Sequence, residues 1–387
     1  MVIYPGDWKK TTLGKEYVII MGQSPTSSSY NDSKNGLPLI QGNADIENGI
    51  TSTKRYTSQP TKICDTDSVI MSVRAPVGTI SRTNQRVCLG RGVCAIVGKI
   101  TNFVYYLMKY HEKSWQKLEQ GSTFTAVSGK VIRDFEIVIP PNESEQTAIA
   151  ETLAAFDTHI TNLTELITKK KAIRDGALDE LMTGRTRLKG FCGDWEVKRL
   201  LDCVRLVQGL TYAPNNVSSY GTLVLRSSNI QDNSLSLEDN VYVNMQIAQE
   251  KMIQEGDILV CVRNGSSDLI GKSCRLPALS NTTFGAFMSV LRGDKTGYIA
   301  KIFNSLIVQK QVRNRTSATI NQITKKDFED IIIPLPPLDE QIAIADTLSA
   351  LDKEISSLET ERAKISQIRD GAINDLLTGK VRLKIGI

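Results

Sequence analysis

The chain has 387 residues, enough for two or three domains, and 41% of its residues are hydrophobic and 23% are charged. This balance is that of an ordinary globular protein, and it excludes a collagen-like, low-complexity or bulk-disordered chain. The formal charge is +5, and residues 1–142 carry 17 Lys and Arg against 11 Asp and Glu, so the charge permits nucleic-acid binding without establishing it.

The first large segment, residues 1–142, is predicted to combine short strands with a helix. The run DSVIMSVRAPVGTIS (67–81) predicts a strand, a turn and a second strand, with Arg74 at the entry to the turn. One helix is predicted over 102–119, and a polar Ser/Thr-rich loop follows it at 121–130. The segment ends in an apolar strand that runs into a pair of prolines.

The first short segment, residues 143–189, has the heptad pattern of a long helix. A proline pair lies just before the predicted helix, and acidic residues lie in its first turn. The sequence TGR at 183–185 places a glycine at its end. About 40 residues of helix are roughly 60 Å long. The apolar positions recur at steps of four and three. They are Ile149, Leu153, Phe156, Ile160 and Leu163.

The second large segment, residues 190–336, follows the same plan as the first. GDILVCVRNGSSDLIGK (256–272) predicts strand, turn and strand, with Arg263 at the position that matches Arg74. A single helix is predicted over 298–310, and a polar loop, RTSATINQITKK, follows it.

The second short segment, residues 337–387, repeats the first at an offset of 195 residues without a gap. EQIAIADTLSALD (340–352) matches EQTAIAETLAAFD (145–157), and the shared sequence continues to the end of each segment. The seam of this second helix consists of Ile344, Leu348, Leu351, Ile355 and Leu358.

The repeat predicts an α/β (α+β) protein in which two domains of mixed strands and helices are separated by two long helices. An isolated helix of this length needs a partner, and the equivalent helix is the obvious one. We therefore expect an antiparallel coiled coil and a pseudo-two-fold internal repeat, although each helix could instead dock on its own globular core.

No catalytic, metal or redox motif can be assembled from the sequence. The two histidines, His111 and His159, belong to no recognisable triad or HExxH pattern, and GSSDLIGKS (265–273) has the wrong spacing for a phosphate-binding loop. The seven cysteines contain no CxxC pair, which disfavours a zinc ribbon or a disulfide framework and fits a reducing cytoplasm. We expect no metal, no signal peptide and no membrane span.

The arrangement resembles the specificity subunit of type I restriction–modification enzymes. The resemblance rests on SVRAPVGTIS (72–81), IVIPPNESEQTAIAETLAAFD (137–157), IIIPLPPLDEQIAIADTLSALD (331–352) and the GDW starts at 6–8 and 193–195. It covers essentially the whole chain, but CVRNGSS (261–267) departs from the SVRAPVG pattern.

The resemblance implies that residues 1–142 and 190–336 are target recognition domains, each of which binds one half of a bipartite sequence in double-stranded DNA. It implies that the helices of 143–189 and 337–387 are conserved spacers that set the gap and dock two methyltransferase subunits. It also implies no cofactor in this chain, with S-adenosylmethionine, ATP and Mg²⁺ expected on the methyltransferase and restriction/translocase subunits.

Candidate DNA contacts are the polar residues at the predicted strand tips, turns and loops, because such side chains suit phosphates and base edges. The same residues equally suit ordinary solvated loops. The candidates are Gln41, Asn43, Arg74, Ser122, Thr123, Lys130, Arg226, Ser227, Arg263, Asn264 and Lys325.

Two other classes of function remain open at this stage. The chain could be a stand-alone nucleic-acid enzyme with an unrecognised site, which would turn over unaided. It could also be a coiled-coil adaptor that binds proteins and ignores DNA.

Overall fold

A computed structural model describes residues 4–47, 49–120, 126–315 and 321–383. The chain divides into two compact units: unit 1 comprises residues 1–165 and 360–387, and unit 2 comprises residues 166–359. Each unit contains one large segment of the repeat together with a part of each long helix.

Unit 1 is built from short strands and four short helices within its described part. The strands are β1 (Lys9–Thr12), β2 (Val18–Met21), β3 (Tyr30–Asn31), β4 (Leu37–Ile40), β5 (Ile46–Glu47), β6 (Ile50–Thr51), β7 (Tyr56–Thr57), β8 (Ile63–Cys64), β9 (Val69–Ser72), β10 (Ile80–Arg82), β11 (Val87–Leu89), β12 (Val93–Val97) and β13 (Glu136–Ile139). The helices are α1 (Leu13–Glu16), α2 (Thr101–Tyr110), α3 (Glu112–Gln120) and α4 (Gly129–Asp134), before the long helix α5 (Glu143–Thr183).

The strands of unit 1 form two larger sheets in the orders β2-β12-β9-β10-β6-β5 and β3-β7-β4-β11-β8, and β1 pairs with β13. The side chains of β9 and nearly all of those of β12 are buried. Such continuous apolar runs are typical of strands covered on both faces. The predicted strand, turn and strand over 67–81 are β9 and β10, which pair antiparallel with Ile80 opposite Met71.

Unit 2 repeats this plan, but its two larger sheets contain fewer strands. The strands are β14 (Glu196–Arg199), β15 (Arg205–Gln208), β16 (Val217–Ser218), β17 (Thr222–Leu225), β18 (Ile230–Gln231), β19 (Ser234–Leu235), β20 (Val241–Val243), β21 (Ile258–Cys261), β22 (Ser273–Arg275), β23 (Thr282–Phe284), β24 (Met288–Arg292) and β25 (Ile332–Leu335). The helices are α6 (Leu200–Cys203), α7 (Thr296–Phe303), α8 (Leu306–Arg315), α9 (Lys325–Glu329) and the long helix α10 (Leu338–Leu377).

The sheet orders show which strands are equivalent. In unit 2 they are β15-β24-β21-β22 and β16-β20-β17-β23, which match β2-β12-β9-β10 and β3-β7-β4-β11 of unit 1. The parallel pair β4–β11 recurs as β17–β23. The diverged large segments therefore retain one common topology.

The prediction of a single helix late in each large segment is wrong, because the structure has two helices at each place. In unit 1 the backbone leaves helical geometry at His111 (φ −86°, ψ 1°), between α2 and α3. The break places the buried Trp115 against Phe135, with 4.0 Å between ring centroids. Phe103 and Leu107 on α2 belong to the same core. Tertiary packing therefore overrides the helical pattern that continues through this part of the sequence.

The long helices begin and end as their sequences predict. Asn142 caps α5, since its side-chain oxygen accepts a hydrogen bond from the Ser144 N–H at 2.8 Å. Gly184 and Gly379, just beyond the two helix ends, adopt φ of +68° and +69°. This left-handed conformation favours glycine and stops a helix.

The helix seams lie in the cores of the two units. Ile149 and Leu153 share the core of unit 1 with Leu376 and Leu377, so the start of α5 packs beside the end of α10. In unit 2, Ile344 and Leu348 share a core with Leu181 and Met182, so the start of α10 packs beside the end of α5. The pairing is therefore antiparallel within each unit. Of the remaining seam residues, Leu163 and Ile355 are buried and four are half-buried, namely Phe156, Ile160, Leu351 and Leu358.

Candidate nucleic-acid interface

Arg74 and Arg263 occupy equivalent exposed positions just beyond the central strands β9 and β21. Each forms an isolated antiparallel bridge to a residue of the polar loop, Arg74 to Ala126 and Arg263 to Gln322. The neighbouring backbone bonds fix the same geometry, at 2.8 Å for Val127 N to Val73 O and 2.9 Å for Ile323 N to Val262 O. The fold therefore brings the end of each polar loop beside one arginine.

In unit 1, Arg74 lines an open groove of about 1250 Å³ together with Gln41 and Asn43. The other charged side chains of this groove are Asp32, Lys34, Asp45, Lys54 and Arg55, so its lining has four cationic groups against two carboxylates. The Asp45 carboxylate accepts the Gln41 backbone N–H at 2.6 Å and is thus already engaged. The groove suits a polyanion.

The side chain of Gln41 is held in place by hydrogen bonds at both ends of its amide. Arg55 Nη1 donates to Oε1 at 3.2 Å, and Nε2 donates to the Tyr30 hydroxyl at 3.3 Å. An oriented amide is the group that pairs with the base edge of adenine. Sequence reasoning missed Lys34, Lys54 and Arg55, although the adjacent Lys-Arg pair in a polar stretch was a usable signal.

In unit 2, Ser227 and Asn264 are brought together beside Arg263. Asn264 Nδ2 donates to Ser227 Oγ at 3.1 Å, and its Oδ1 accepts from the Ser266 N–H at 3.1 Å. The Asn264 amide is therefore engaged at both ends and braces the loop. The Arg263 guanidinium lies 5.3 Å from the ring centroid of Phe287, within cation–π range. Sequence reasoning missed Phe287.

The remaining predicted contacts are Arg226, Lys130, Lys325, Ser122 and Thr123. Arg226 is half-buried and its Nη2 donates to Asp239 at 2.7 Å, which offsets its charge. Lys130 on α4 and Lys325 on α9 are exposed at the start of equivalent short helices, and Lys325 lies 4.0 Å from Glu329. Ser122 and Thr123 lie outside the described residues.

The candidate catalytic groups remain unassembled. Burial lowers the pKa of His111 to about 4, so the imidazole is neutral near pH 7, and it packs edge-on to Phe135. His159 is exposed on α5, 3.7 Å from Glu361. The glycine-rich GSSDLIGKS segment leads into strand β22, where a phosphate-binding loop would open a helix.

The described ranges contain neither a candidate metal site nor a candidate membrane span. Across residues 4–47, 49–120, 126–315 and 321–383, no cluster of three or more His, Cys, Asp or Glu side chains is arranged to hold a metal ion. Within the same ranges, no helix has both the length and the apolar character needed to cross a bilayer.

The family profile described as the type I restriction modification DNA specificity domain matches this chain twice, over residues 5–173 and 193–367. The chain belongs to this family. Each match covers one copy of the internal repeat, so this specificity-domain protein carries two copies of the family domain. Arg74 lies in the first copy and Arg263 in the second.

Individual relatives are named as specificity subunits. A stretch of 195 residues is 38% identical to the MjaX specificity subunit of Methanocaldococcus jannaschii, covering 48% of this chain and 45% of that protein. A stretch of 205 residues is 30% identical to the type I restriction enzyme EcoKI specificity subunit of Escherichia coli, covering 49% of this chain and 44% of that protein. Both matches thus span less than half of the relative.

The fold is also found in a solved structure. The crystal structure of the type I restriction–modification system S subunit from M. genitalium has a TM-score of 0.63 to this chain at 16% sequence identity. The likeness covers 98% of this chain and 97% of that one. This specificity-domain protein therefore shares its whole fold with that subunit.

Proposed function

We propose that this chain is the DNA-specificity subunit of a type I restriction–modification complex, with no active site of its own. One observation carries the proposal: the family domain occurs twice, and each copy presents an exposed arginine at an equivalent loop tip. Two copies of one recognition domain suit a target made of two separate half-sites. Each large segment, 1–142 and 190–336, binds one half in the major groove.

The groove of unit 1 supports this assignment by its chemistry. Its basic side chains suit phosphates, which position a protein on the duplex, and the oriented Gln41 amide suits a base edge, which specifies sequence. In unit 2, Arg263 takes the corresponding place. Arg74 and Arg263 are both exposed, so both guanidiniums are accessible to DNA.

The long helices have a different role in this proposal. They fix the length of the gap between the half-sites and dock two methyltransferase subunits. Methyl transfer from S-adenosylmethionine and ATP- and Mg²⁺-dependent translocation belong to the methyltransferase and restriction/translocase partners. The complex works in the cytoplasm, where the DNA is.

The test is a map of methylated bases across the genome in cells with and without this chain. We expect one bipartite motif to lose its methylation when the chain is deleted and to regain it on complementation. Purified chain with a duplex carrying that motif should bind it without cutting or methylating it. Unaided turnover would favour an enzyme, and binding of proteins without any DNA preference would favour an adaptor.

A further inference from the structure

Phe287 is an exposed aromatic side chain fixed at the tip of unit 2 that also carries Arg263. Phe287 is 58% exposed and its neighbour Ala286 is also exposed, whereas Gly285 and Met288, on either side of these two residues, are buried. The Met288 N–H donates to Gly285 O at 2.8 Å, which closes a tight turn around Phe287. The Phe287 carbonyl accepts from both Val262 N at 3.0 Å and Arg263 N at 3.2 Å. The ring is therefore carried by a firmly hydrogen-bonded turn.

The Phe287 ring and the Arg263 guanidinium lie close enough to interact. The 5.3 Å between the guanidinium carbon and the ring centroid allows a cation–π contact, which orients the arginine while leaving N–H groups free to donate. The tip thus presents hydrogen-bond donors beside an apolar ring.

We infer that Phe287 packs against the 5-methyl group of a thymine in the half-site bound by unit 2, and so determines one position of the target. This inference rests on the proposed DNA-binding function. A side chain that enters the major groove meets polar base edges, and the thymine methyl is the one apolar group exposed there. When Arg263 contacts a base edge, the adjacent Phe287 ring also faces the groove, and the thymine methyl is the apolar group against which it can pack.

In unit 1 the position equivalent to Phe287 is occupied by a glycine. The same tight turn is closed there by Val93 N donating to Gly90 O at 3.2 Å, and Val73 N donates to Gly92 O as Val262 N does to Phe287 O. The equivalent residue is thus Gly92. A Cβ there would lie 2.0 Å from the Gln41 carbonyl oxygen, so a side chain cannot be accommodated. Gly92 therefore cannot supply this methyl contact in unit 1.

The experiment uses the full chain in its complex and the bipartite duplex mapped from genomic methylation. The half-site of unit 2 is the half that changes when residues 190–336 are exchanged. Every thymine of that half is replaced by deoxyuridine, which lacks only the 5-methyl group. We expect about fourfold weaker binding by the unaltered protein, the equivalent of one buried methylene.

The variant Phe287→Ala should bind the thymine and deoxyuridine duplexes equally, and Phe287→Leu should keep part of the thymine preference. Val197→Ala serves as the matched control, because Val197 is 71% exposed in unit 2 but lies on β14, outside this tip. It should keep the full preference. Deoxyuridine in the other half-site should affect the unaltered protein and Phe287→Ala alike.

Equal binding of both duplexes by the unaltered protein would overturn the inference, as would a thymine preference that survives in Phe287→Ala. A half-site without an A·T pair would overturn it too. These results differ from failure of the proposed function, in which the complex would not prefer its mapped duplex over an unrelated one.

Discussion

Asp157 on α5 and Arg369 on α10 form an ion pair across the helix pair of unit 1, with 2.8 Å between Oδ1 and Nη1. The repeat offset of 195 residues converts this pair into Asp352 and Arg174, which lie 2.8 Å apart in unit 2. The same relation links Glu145–Arg382 to Glu340–Arg187. The internal symmetry of the sequence is thus a symmetry of contacts made by the two long helices and by the residues just beyond their ends.

Charge reversal tests this pairing. Asp157→Arg or Arg369→Asp alone should lower the free energy of unfolding by about 1 kcal/mol, since each leaves like charges in contact, and the double reversal should recover most of it. Recovery is favoured in unit 1 because Tyr106, which now donates to Asp157 at 2.7 Å, can accept from the new arginine. The free energy of unfolding is measured by denaturant titration for the unaltered protein, the two single variants and the double variant.

The equivalent reversal in unit 2 is the matched comparison. Asp352 also contacts Lys301 at 2.5 Å, so Asp352→Arg with Arg174→Asp places two cations together and should recover less. Equal recovery in the two units, or none in unit 1, would contradict this account of the ion pairs.

The two equivalent arginines should contribute directly to DNA binding. For Arg74→Ala or Arg263→Ala, loss of a base contact should cost about 1–3 kcal/mol and relax one target position, whereas loss of a phosphate contact should weaken all sequences evenly and lower the salt slope by about 1. Arg86→Ala is the control, because Arg86 is an exposed arginine of unit 1 that pairs with Asp65 at 3.3 Å. Unchanged affinity and salt slope in both variants would remove these arginines from the interface.

The stability of unit 1 should depend on pH through His111. Burial lowers its pKa from 6.5 to about 4 in the folded state, so the unfolded chain binds more protons between these values. The stability is fully present above about pH 6.5 and should fall by up to about 3 kcal/mol as the pH approaches 4. His111→Phe should flatten unfolding free energy against pH in this window. Parallel curves for the two proteins would show that His111 is not responsible.

Local patterns account for what the sequence predicts well. The heptad steps and terminal glycines predict α5 and α10, and the apolar run with Arg74 predicts β9, its turn and β10, because these signals lie within one element. The break at His111 is not local, since it depends on Trp115 reaching Phe135, twenty residues along the chain.

The candidate interface is harder to predict for the same reason. Gln41 meets Arg55 and Tyr30 only because β7 pairs with both β3 and β4, which a linear pattern does not specify. Phe287 escaped notice because an isolated phenylalanine beside a strand is usually a core residue. Its exposure and its place beside Arg263 emerge only from the turn geometry.

Helix length should set the gap in the target. Four residues inserted near Lys170 add about 6 Å of helix and about 40° of rotation. At about 34 Å per ten base pairs, this corresponds to a gap roughly two base pairs longer with unchanged half-sites. The gap is measured in the methylated sites of the variant. Methylation at the original gap would show that the helices do not set the spacing.

The central claim, two independent recognition domains in one chain, is tested most directly by exchanging residues 1–142 for the equivalent segment of a relative with a different target and mapping the methylated bases genome-wide. We predict a hybrid motif in which one half-site follows the exchanged segment and the other half-site is unchanged. A motif in which both halves change together would contradict the account.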